Sequence, residues 1–420
     1  MNLCLTVGVA GLVFSLQDRR SYKEFLSYRG TDAQTLLDLL QDFLDLDSFS
    51  VVKPLIFKAL CSLSRVSGLH PRCFALTELE KLGQQVAGGG VGDIWKGLVG
   101  GQTICVKIMR VFQDDDVQAL LKEFGREAVI WRQLWHPNLL PFFGLYHLEN
   151  RLCLVSPWME NGNVMEFLRK EPPNIDRLSL ILDVALGLEY LHEQRIVHGD
   201  LKGINILVTP SQRACIADFG LSSIVNAMTL RLTTSTAPTN RGTARYQAPE
   251  LFQLGDEETS KTFESDVYAF ACVCYEILTG MFPFYEFAND LKIMFAVSAG
   301  KRPSRSVSCS GTIALDALWE LLQRCWDGQV KVRPTAAKIV EQLVEPPIRA
   351  TTTSPKTDWD DKLTSKFRRS LYAQSILPSA LLGDGQNVNA HIAKGKMCST
   401  RRKNGYVVTS NTAYKEVFSN

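Results

Sequence analysis

What the chain lacks narrows its function before any motif is considered. Neither sign of charge dominates, since 46 Lys and Arg stand against 44 Asp and Glu for a net charge of +2. So weak a field gives no reason to expect nucleic acid as a partner or a membrane surface as a target. The 11 cysteines are odd in number and lack paired metal-ligand spacing, Cys272 and Cys274 being only two positions apart. Cysteines in apolar settings such as Ile104-Cys105-Val106 have the character of reduced core residues, which favours a cytoplasmic protein over a zinc module or a disulfide framework. The apolar stretch from Leu3 to Leu16 is short for a membrane span, is interrupted by Thr6, Gly8, Gly11 and Ser15, and has no basic residue before it as a signal peptide would. A buried or flexible N-terminal segment is expected there, with a signal or anchor as the minority alternative.

Two amphipathic helices are expected next. Leu36, Leu37, Leu40, Phe43 and Leu44 recur at helical spacing between Thr31 and Leu46, with Thr31 or Asp32 available as N-cap. A second run, Val51 to Val66, carries Leu55, Ile56, Leu60 and Leu63 and stops at Gly68, with Pro71 beyond. The pair is too small to form a core alone, so it is expected to pack on the next domain or on a partner. A structural brace is the expectation, and a regulatory interaction module the alternative.

The chain is organised around Val197 to Val208, which spells V-H-G-D-L-K-G-I-N-I-L-V. Apolar residues on both sides would pin a short polar loop between buried strands, so that Asp200, Lys202 and Asn205 face one point. That spacing suits phosphoryl transfer. Asp200 would take up the proton of a substrate hydroxyl, Lys202 would neutralise charge on the moving phosphoryl group, and Asn205 would hold a metal ion. Thirteen residues after Asn205 comes Ala217-Asp218-Phe219-Gly220. In these two motifs and their separation the sequence resembles the eukaryotic protein kinases, whose catalytic loop and metal-binding D-F-G follow one another at this distance. The resemblance implies ATP and Mg2+ as cofactors, Asp200 as catalytic base, and Asn205 and Asp218 as the magnesium ligands.

The likeness extends over about 270 residues. Gln84 to Gly97 holds a glycine cluster in which backbone amides can approach phosphates closely. Aligned on the family's G-x-G-x-x-G-x-V, Ala87 stands at the first glycine and Gly89 and Gly92 at the second and third, with Gly88 and Gly90 beside them. The departure at Ala87 leaves a glycine hairpin without a ligand as an equal alternative when the motif is taken alone. Lys107 in Ile104-Cys105-Val106-Lys107-Ile108 matches the lysine that contacts the nucleotide phosphates. Glu127, nine residues before His136-Pro137-Asn138, matches its helix C partner, with Glu123 as the fallback. Pro157-Trp158-Met159 resembles the hinge that holds adenine, where a proline lacking its amide hydrogen still offers its carbonyl and Met159 supplies the amide. Ser156 falls at the rear of the adenine pocket, where its small size leaves room. Val86, Ile94 and Leu207 complete the residues expected against ATP.

Lys202, and Thr243 in Gly242-Thr243-Ala244-Arg245-Tyr246-Gln247-Ala248-Pro249-Glu250, resemble serine/threonine rather than tyrosine kinases. Cys325-Trp326 to Arg333-Pro334, and Gly300-Lys301-Arg302-Pro303, resemble the tyrosine-kinase-like group. The fold class expected is therefore α+β, a two-lobed protein kinase fold with a small, mainly antiparallel β N-lobe carrying helix C and a larger, mainly α C-lobe. Asp266 is expected to tie down the catalytic loop backbone, and Glu250 to pair with Arg333. The domains expected are 1–73, an apolar segment with the helical pair; 74–347, the kinase domain; and 348–420, a polar and mostly disordered tail. Within that tail, Asp358 to Leu371 could form a short helix that docks back through Trp359, Leu363, Phe367 and Leu371. Lys394 to Lys403 is expected to be a solvated basic tail. Partners would be ATP, proteins offering serine or threonine, and whatever the N-terminal helices bind. A pseudokinase scaffold is the competing class, supported by Ala87 and Gly199 alone.

Gly199 stands where most of the resembling kinases have arginine, which pairs with a phosphate on the activation loop, here Leu221 to Gln247. A glycine offers no such charge. Activity should therefore survive dephosphorylation of the chain. Phosphatase treatment followed by a kinase assay checks this, and complete loss of activity would refute it.

Overall fold

The computed structural model describes residues 16–45, 51–72, 76, 80–88, 92–109, 129, 131–148, 151–170, 175–219, 243–252, 261–305, 311–351, 358–360, 363–364 and 366–367. Three helices come first, α1 (Arg19–Phe25), α2 (Gly30–Leu44) and α3 (Lys53–Ser67). Helices α2 and α3 form because their apolar residues recur every three or four positions, placing Leu37, Leu40 and Leu44 on one face and Ile56, Leu60 and Leu63 on another. The expected cap of α2 is corrected. Its N-cap is Arg29, with no side-chain cap bond, because the helix begins at Gly30 ahead of both Thr31 and Asp32. Helix α3 ends at Gly68 as expected. Both faces join the main buried cluster of the molecule, and Gln41 accepts a hydrogen bond from Gln133 at 2.9 Å.

Five antiparallel strands make the small lobe: β1 (Glu80–Gly88), β2 (Gly92–Val99), β3 (Gln102–Met109), β4 (Gly144–Leu148) and β5 (Arg151–Pro157), in the order β1-β2-β3-β5-β4. Strand β3 is central, and its alternation sets the polarity of the lobe. Ile104, Val106 and Ile108 point into a buried cluster with Val155 and Cys153, while Cys105 and Lys107 take the other face. Register places Cys105 opposite Ser156 and Lys107 opposite Ile94 and Leu154.

The rest of the core is mainly helical. Helix α4 (Val164–Lys170) leads to α5 (Arg177–Glu193), whose N-cap Asp176 accepts from the amides of Leu178 and Ser179. A short hairpin follows, β6 (Ile206–Val208) with β7 (Ala214–Ile216). Then comes α6 (Phe263–Thr279), started by a reciprocal capping box between Thr262 and Ser265. Every residue of α6 from Ser265 to Leu278 is buried, which makes this helix the axis of the large lobe. Helix α8 (Ile313–Cys325) packs on it, α9 (Ala336–Val344) packs on α5, and α7 (Asp290–Ser298) packs on the turns at 243–246 and 249–252. The two-lobed α+β architecture is the one implied by the resemblance.

Buried ion pairs lie within this core. Arg213 and Asp183 form one such pair beneath the β6–β7 hairpin. Arg333 forms the expected second one. Its guanidinium is fully buried and reaches both Glu250 oxygens at 2.7 Å, with further bonds to the carbonyls of Asp327 and Glu264. The pair joins the segment before α6 to the turn before α9. Removing one partner strands a buried charge, so Arg333→Ala should lower stability by roughly 3–5 kcal/mol. Lys331→Ala, which removes a highly exposed partner of Glu264, should leave it nearly unchanged. Equal urea midpoints for the two variants would show that the buried pair is not the stronger constraint.

Candidate active site

The polar loop between α5 and β6 is fixed from below. Asp266, in the first turn of α6, accepts the His198 amide at 2.7 Å on one oxygen and the Gly199 amide at 2.8 Å on the other, with His192 Nε2 at 3.1 Å. Gly199 has φ +74, a left-handed conformation that costs an L side chain about 1–2 kcal/mol and glycine almost nothing. His198 is fully buried. The Asp200 amide donates to its Nδ1 at 3.2 Å, so its Nε2 carries the hydrogen toward the Ala217 carbonyl, 3.1 Å away. Burial holds the imidazole below its ordinary pKa, which keeps that neutral donor-acceptor form. The histidine thus joins the loop to the residue before Asp218.

The residues singled out from the sequence converge on this frame. Lys202 Nζ lies 2.7 Å from Asp200 Oδ2. The Asn205 side-chain amide donates to the Asp200 carbonyl at 2.8 Å, and the Asn205 backbone carbonyl accepts from the Ala217 amide at 2.8 Å. Lys107 Nζ, arriving from β3, lies 2.5 Å from Asp218 Oδ2. Burial by itself would raise the Asp218 carboxyl, but the Lys107 ammonium outweighs it and the group sits below the usual carboxylate range. It is therefore ionised at neutral pH. With the Asn205 nitrogen committed to Asp200, its side-chain oxygen is what remains to offer a cation. An amide oxygen and a carboxylate form the all-oxygen donor set that Mg2+ takes. Among the described residues no group of three or more His, Cys, Asp or Glu side chains is placed to hold a metal, so such an ion would complete its shell with phosphate oxygens and water.

The hinge lies across the cleft. Pro157 ends β5 opposite Ile104, and the Met159 carbonyl accepts from the Gly162 amide at 3.0 Å. Met159 is buried, and Leu207 packs against its cluster. Lys96 on β2 reaches Glu160 at 2.8 Å and sits over the Trp158 ring, joining the small lobe to the outer edge of the hinge. Ile94 is half-buried and Val86 is 55% exposed at the rim. The β1–β2 hairpin pairs Ala87 with Ile94 and Gly88 with Asp93, and Gly92 opens β2. Gly89, Gly90, Glu123 and Glu127 lie outside the described residues, as do Gly220 and Thr233 to Thr239. Lys107 accordingly has Asp218 as its described partner.

Two ionisable groups that face this loop escaped the sequence reasoning. Lys261 precedes α6, and burial lowers its pKa although Asp200 pulls it the other way. Glu276 lies two turns and more along α6 from Asp266, fully buried, and accepts the Gly203 amide at 2.9 Å. A Cβ at position 203 would collide with that carboxylate, so the glycine permits the close approach. Burial pushes the Glu276 carboxyl up to about 7, with the Tyr246 side chain and the Gly203 amide working in the opposite direction. Its position in an apolar helical run, Cys274-Tyr275-Glu276-Ile277-Leu278, was the available signal: a carboxylate amid buried positions has to have partners.

Comparison with known proteins gives this geometry a family. A family model described as protein tyrosine and serine/threonine kinase matches residues 80–343. The chain is 32% identical over 272 residues to the Arabidopsis thaliana serine/threonine-protein kinase STY46, covering 63% of this chain and 44% of that protein. It is 31% identical over 269 residues to the serine/threonine/tyrosine-protein kinase HT1 of the same plant, covering 62% and 65%. With the dual specificity protein kinase shkC of Dictyostelium discoideum it shares 31% over 261 residues, covering 61% and 49%. The chain thus spans from under half to just under two thirds of the length of these relatives. Among the described residues no helix is long and apolar enough to cross a membrane.

The Glu276 site has a pH signature. Its folded pKa of about 7 exceeds the ordinary 4.5, so between those values the native state keeps a proton that the unfolded chain has lost. Its contribution to stability therefore falls as pH rises through this window and is level above it. Glu276→Gln should remove that decline, a difference on the order of 3 kcal/mol at pH 8. Urea unfolding of parent and variant from pH 5 to pH 8 reads it, and parallel profiles would contradict it.

Proposed function

Because the chain belongs to the protein tyrosine and serine/threonine kinase family, we propose that it transfers the γ-phosphate of ATP to serine and threonine hydroxyls of protein substrates. The observation that carries this reading is the pairing of Lys107 with Asp218 and of Lys202 with Asp200, around one loop held by Asp266. These four groups alternate in sign, which suits a site where phosphate charge arrives and shifts during reaction.

In this mechanism Asp200 orients the substrate hydroxyl and receives its proton as the oxygen bonds to the γ-phosphorus. The bond from that phosphorus to the ADP oxygen breaks in line with the attack. Lys202, beside Asp200, balances charge on the phosphoryl group in flight. Lys107 holds the phosphates of the nucleotide, and Asn205 and Asp218 hold Mg2+. When bound, that ion would neutralise charge between the phosphates. Glu127 remains the proposed carboxylate partner of Lys107, and Met159 the proposed amide donor to adenine. The Lys202 position and the likeness to the serine/threonine-protein kinase STY46 support serine/threonine transfer. A cytoplasmic location is proposed from cysteines without disulfide partners among the described residues, five of them buried. The scaffold alternative rests on Ala87 and Gly199, and the second of these has a backbone reason for being glycine.

The test is phosphate incorporation from ATP and Mg2+ into the chain itself and into a generic basic protein. Incorporation on serine or threonine is expected for the parent, with losses of at least about 100-fold for Asp200→Asn and Lys107→Met. No incorporation by a folded parent that still binds nucleotide would transfer the function to scaffolding.

A further inference from the structure

Beyond α9 the chain returns to the back of the hinge. Asp358 accepts from the Ser211 amide at 3.0 Å and from its hydroxyl at 2.9 Å, at the turn between β6 and β7 in the large lobe. Trp359 follows, 5% exposed, its indole N–H donating to the His136 carbonyl at 3.2 Å. It forms one buried cluster with Met159 of the hinge and Cys215 of β7, and Leu207 packs against that cluster. Leu363 packs both on this cluster and on the core of the small lobe. Phe367 ends the path inside that core, 2% exposed and stacked on Phe143 with the rings 4.0 Å apart and 8° from parallel.

The stretch therefore touches the large lobe, the hinge and the small lobe in turn. A fourth hydrogen bond ties it to the helical residues 131–133, where Thr364 accepts from buried Arg132. The other arm of that guanidinium lies 3.5 Å from Asp45, at the end of α2. The N-terminal helices and the C-terminal stretch thus meet on one side chain.

We propose that Trp359 is a positioning residue for the nucleotide site, and that Asp358, Trp359, Leu363, Thr364 and Phe367 act as a strap that sets the hinge against both lobes. The inference rests on the reading that ATP binds between the lobes with Met159 and Leu207 against adenine. The physical reason is close packing. An indole ring whose N–H is tied to a backbone carbonyl cannot swing away, so the hinge cluster has a rigid wall behind it. Without that wall Met159 and Leu207 can relax into the space the ring leaves. The strap reaches the adenine side of the site rather than Asp200 or Lys202, so binding of ATP should suffer more than the transfer step.

Steady-state kinetics on the full chain tests this, for the parent, Trp359→Ala and Trp359→Phe, together with amide hydrogen exchange in the absence of nucleotide. Trp359→Ala should raise KM for ATP about tenfold with kcat held within about twofold, the pattern of lost ground-state binding. Exchange should quicken at residues 156–162 while α6 stays as protected as in the parent. Trp359→Phe, which keeps an aromatic wall, should fall nearer the parent than the alanine variant. A parent-like KM and parent-like hinge exchange in Trp359→Ala would overturn the proposal, even if the thermal midpoint fell. If the parent transferred no phosphate, the ATP reading would fail by itself, and hinge exchange would still decide whether the strap orders the hinge.

Discussion

The carboxylate of Asp266 is the constraint on which the rest of the site depends. It sits at the start of a helix buried along nearly its whole length, and it holds two successive loop amides, His198 and Gly199, on separate oxygens. A buried carboxylate pays a desolvation penalty unless hydrogen bonds replace water, and backbone amides of a strained loop supply them. The same two bonds fix where Asp200 points. Rigid helix, anchored loop and the Asp200 backbone therefore form one mechanical unit. His198 extends it to Ala217, which stands immediately before Asp218.

Charge in the cleft follows a second principle, alternation of sign. Lys107 with Asp218, and Lys202 with Asp200, bring ammonium and carboxylate groups together at hydrogen-bond distance. Lys107 stabilises the ionised state of Asp218, whose pKa is lowered despite its burial. Glu276 shows the opposite regime on the same helix as Asp266. There burial prevails over the hydrogen bonds from Tyr246 and the Gly203 amide, and the carboxyl rises to about 7. Asp218 and Glu276 thus differ because of what faces them.

The segments outside the family match are not appendages. The helices before the small lobe bury their faces in the main cluster, and the stretch after α9 crosses behind the hinge. Both meet at Arg132. Arg132 lies in the helical residues just before His136-Pro137-Asn138. The polar composition that makes the tail after Leu343 look unstructured conceals three apolar residues, Trp359, Leu363 and Phe367, which do the docking.

Much of this was legible in the amino-acid sequence. Period-two and helical spacings gave β3, α2 and α3 because burial of one face imposes them locally. The convergence of Asp200, Lys202 and Asn205 was legible because a short loop between buried strands leaves few ways to arrange them, and Asp218 was legible from the family likeness. Glu250 with Arg333 was legible from the family likeness, and Asp266 from its place at the head of an apolar helix. The partner of Lys107 in the described residues, the fit of Gly203 against Glu276, and the path of Trp359 to the hinge were decided only by tertiary structure. Each joins residues far apart in the chain, where spacing carries no information. Whether a buried acid meets a cation, or an indole finds a carbonyl, depends on which surfaces packing brings face to face.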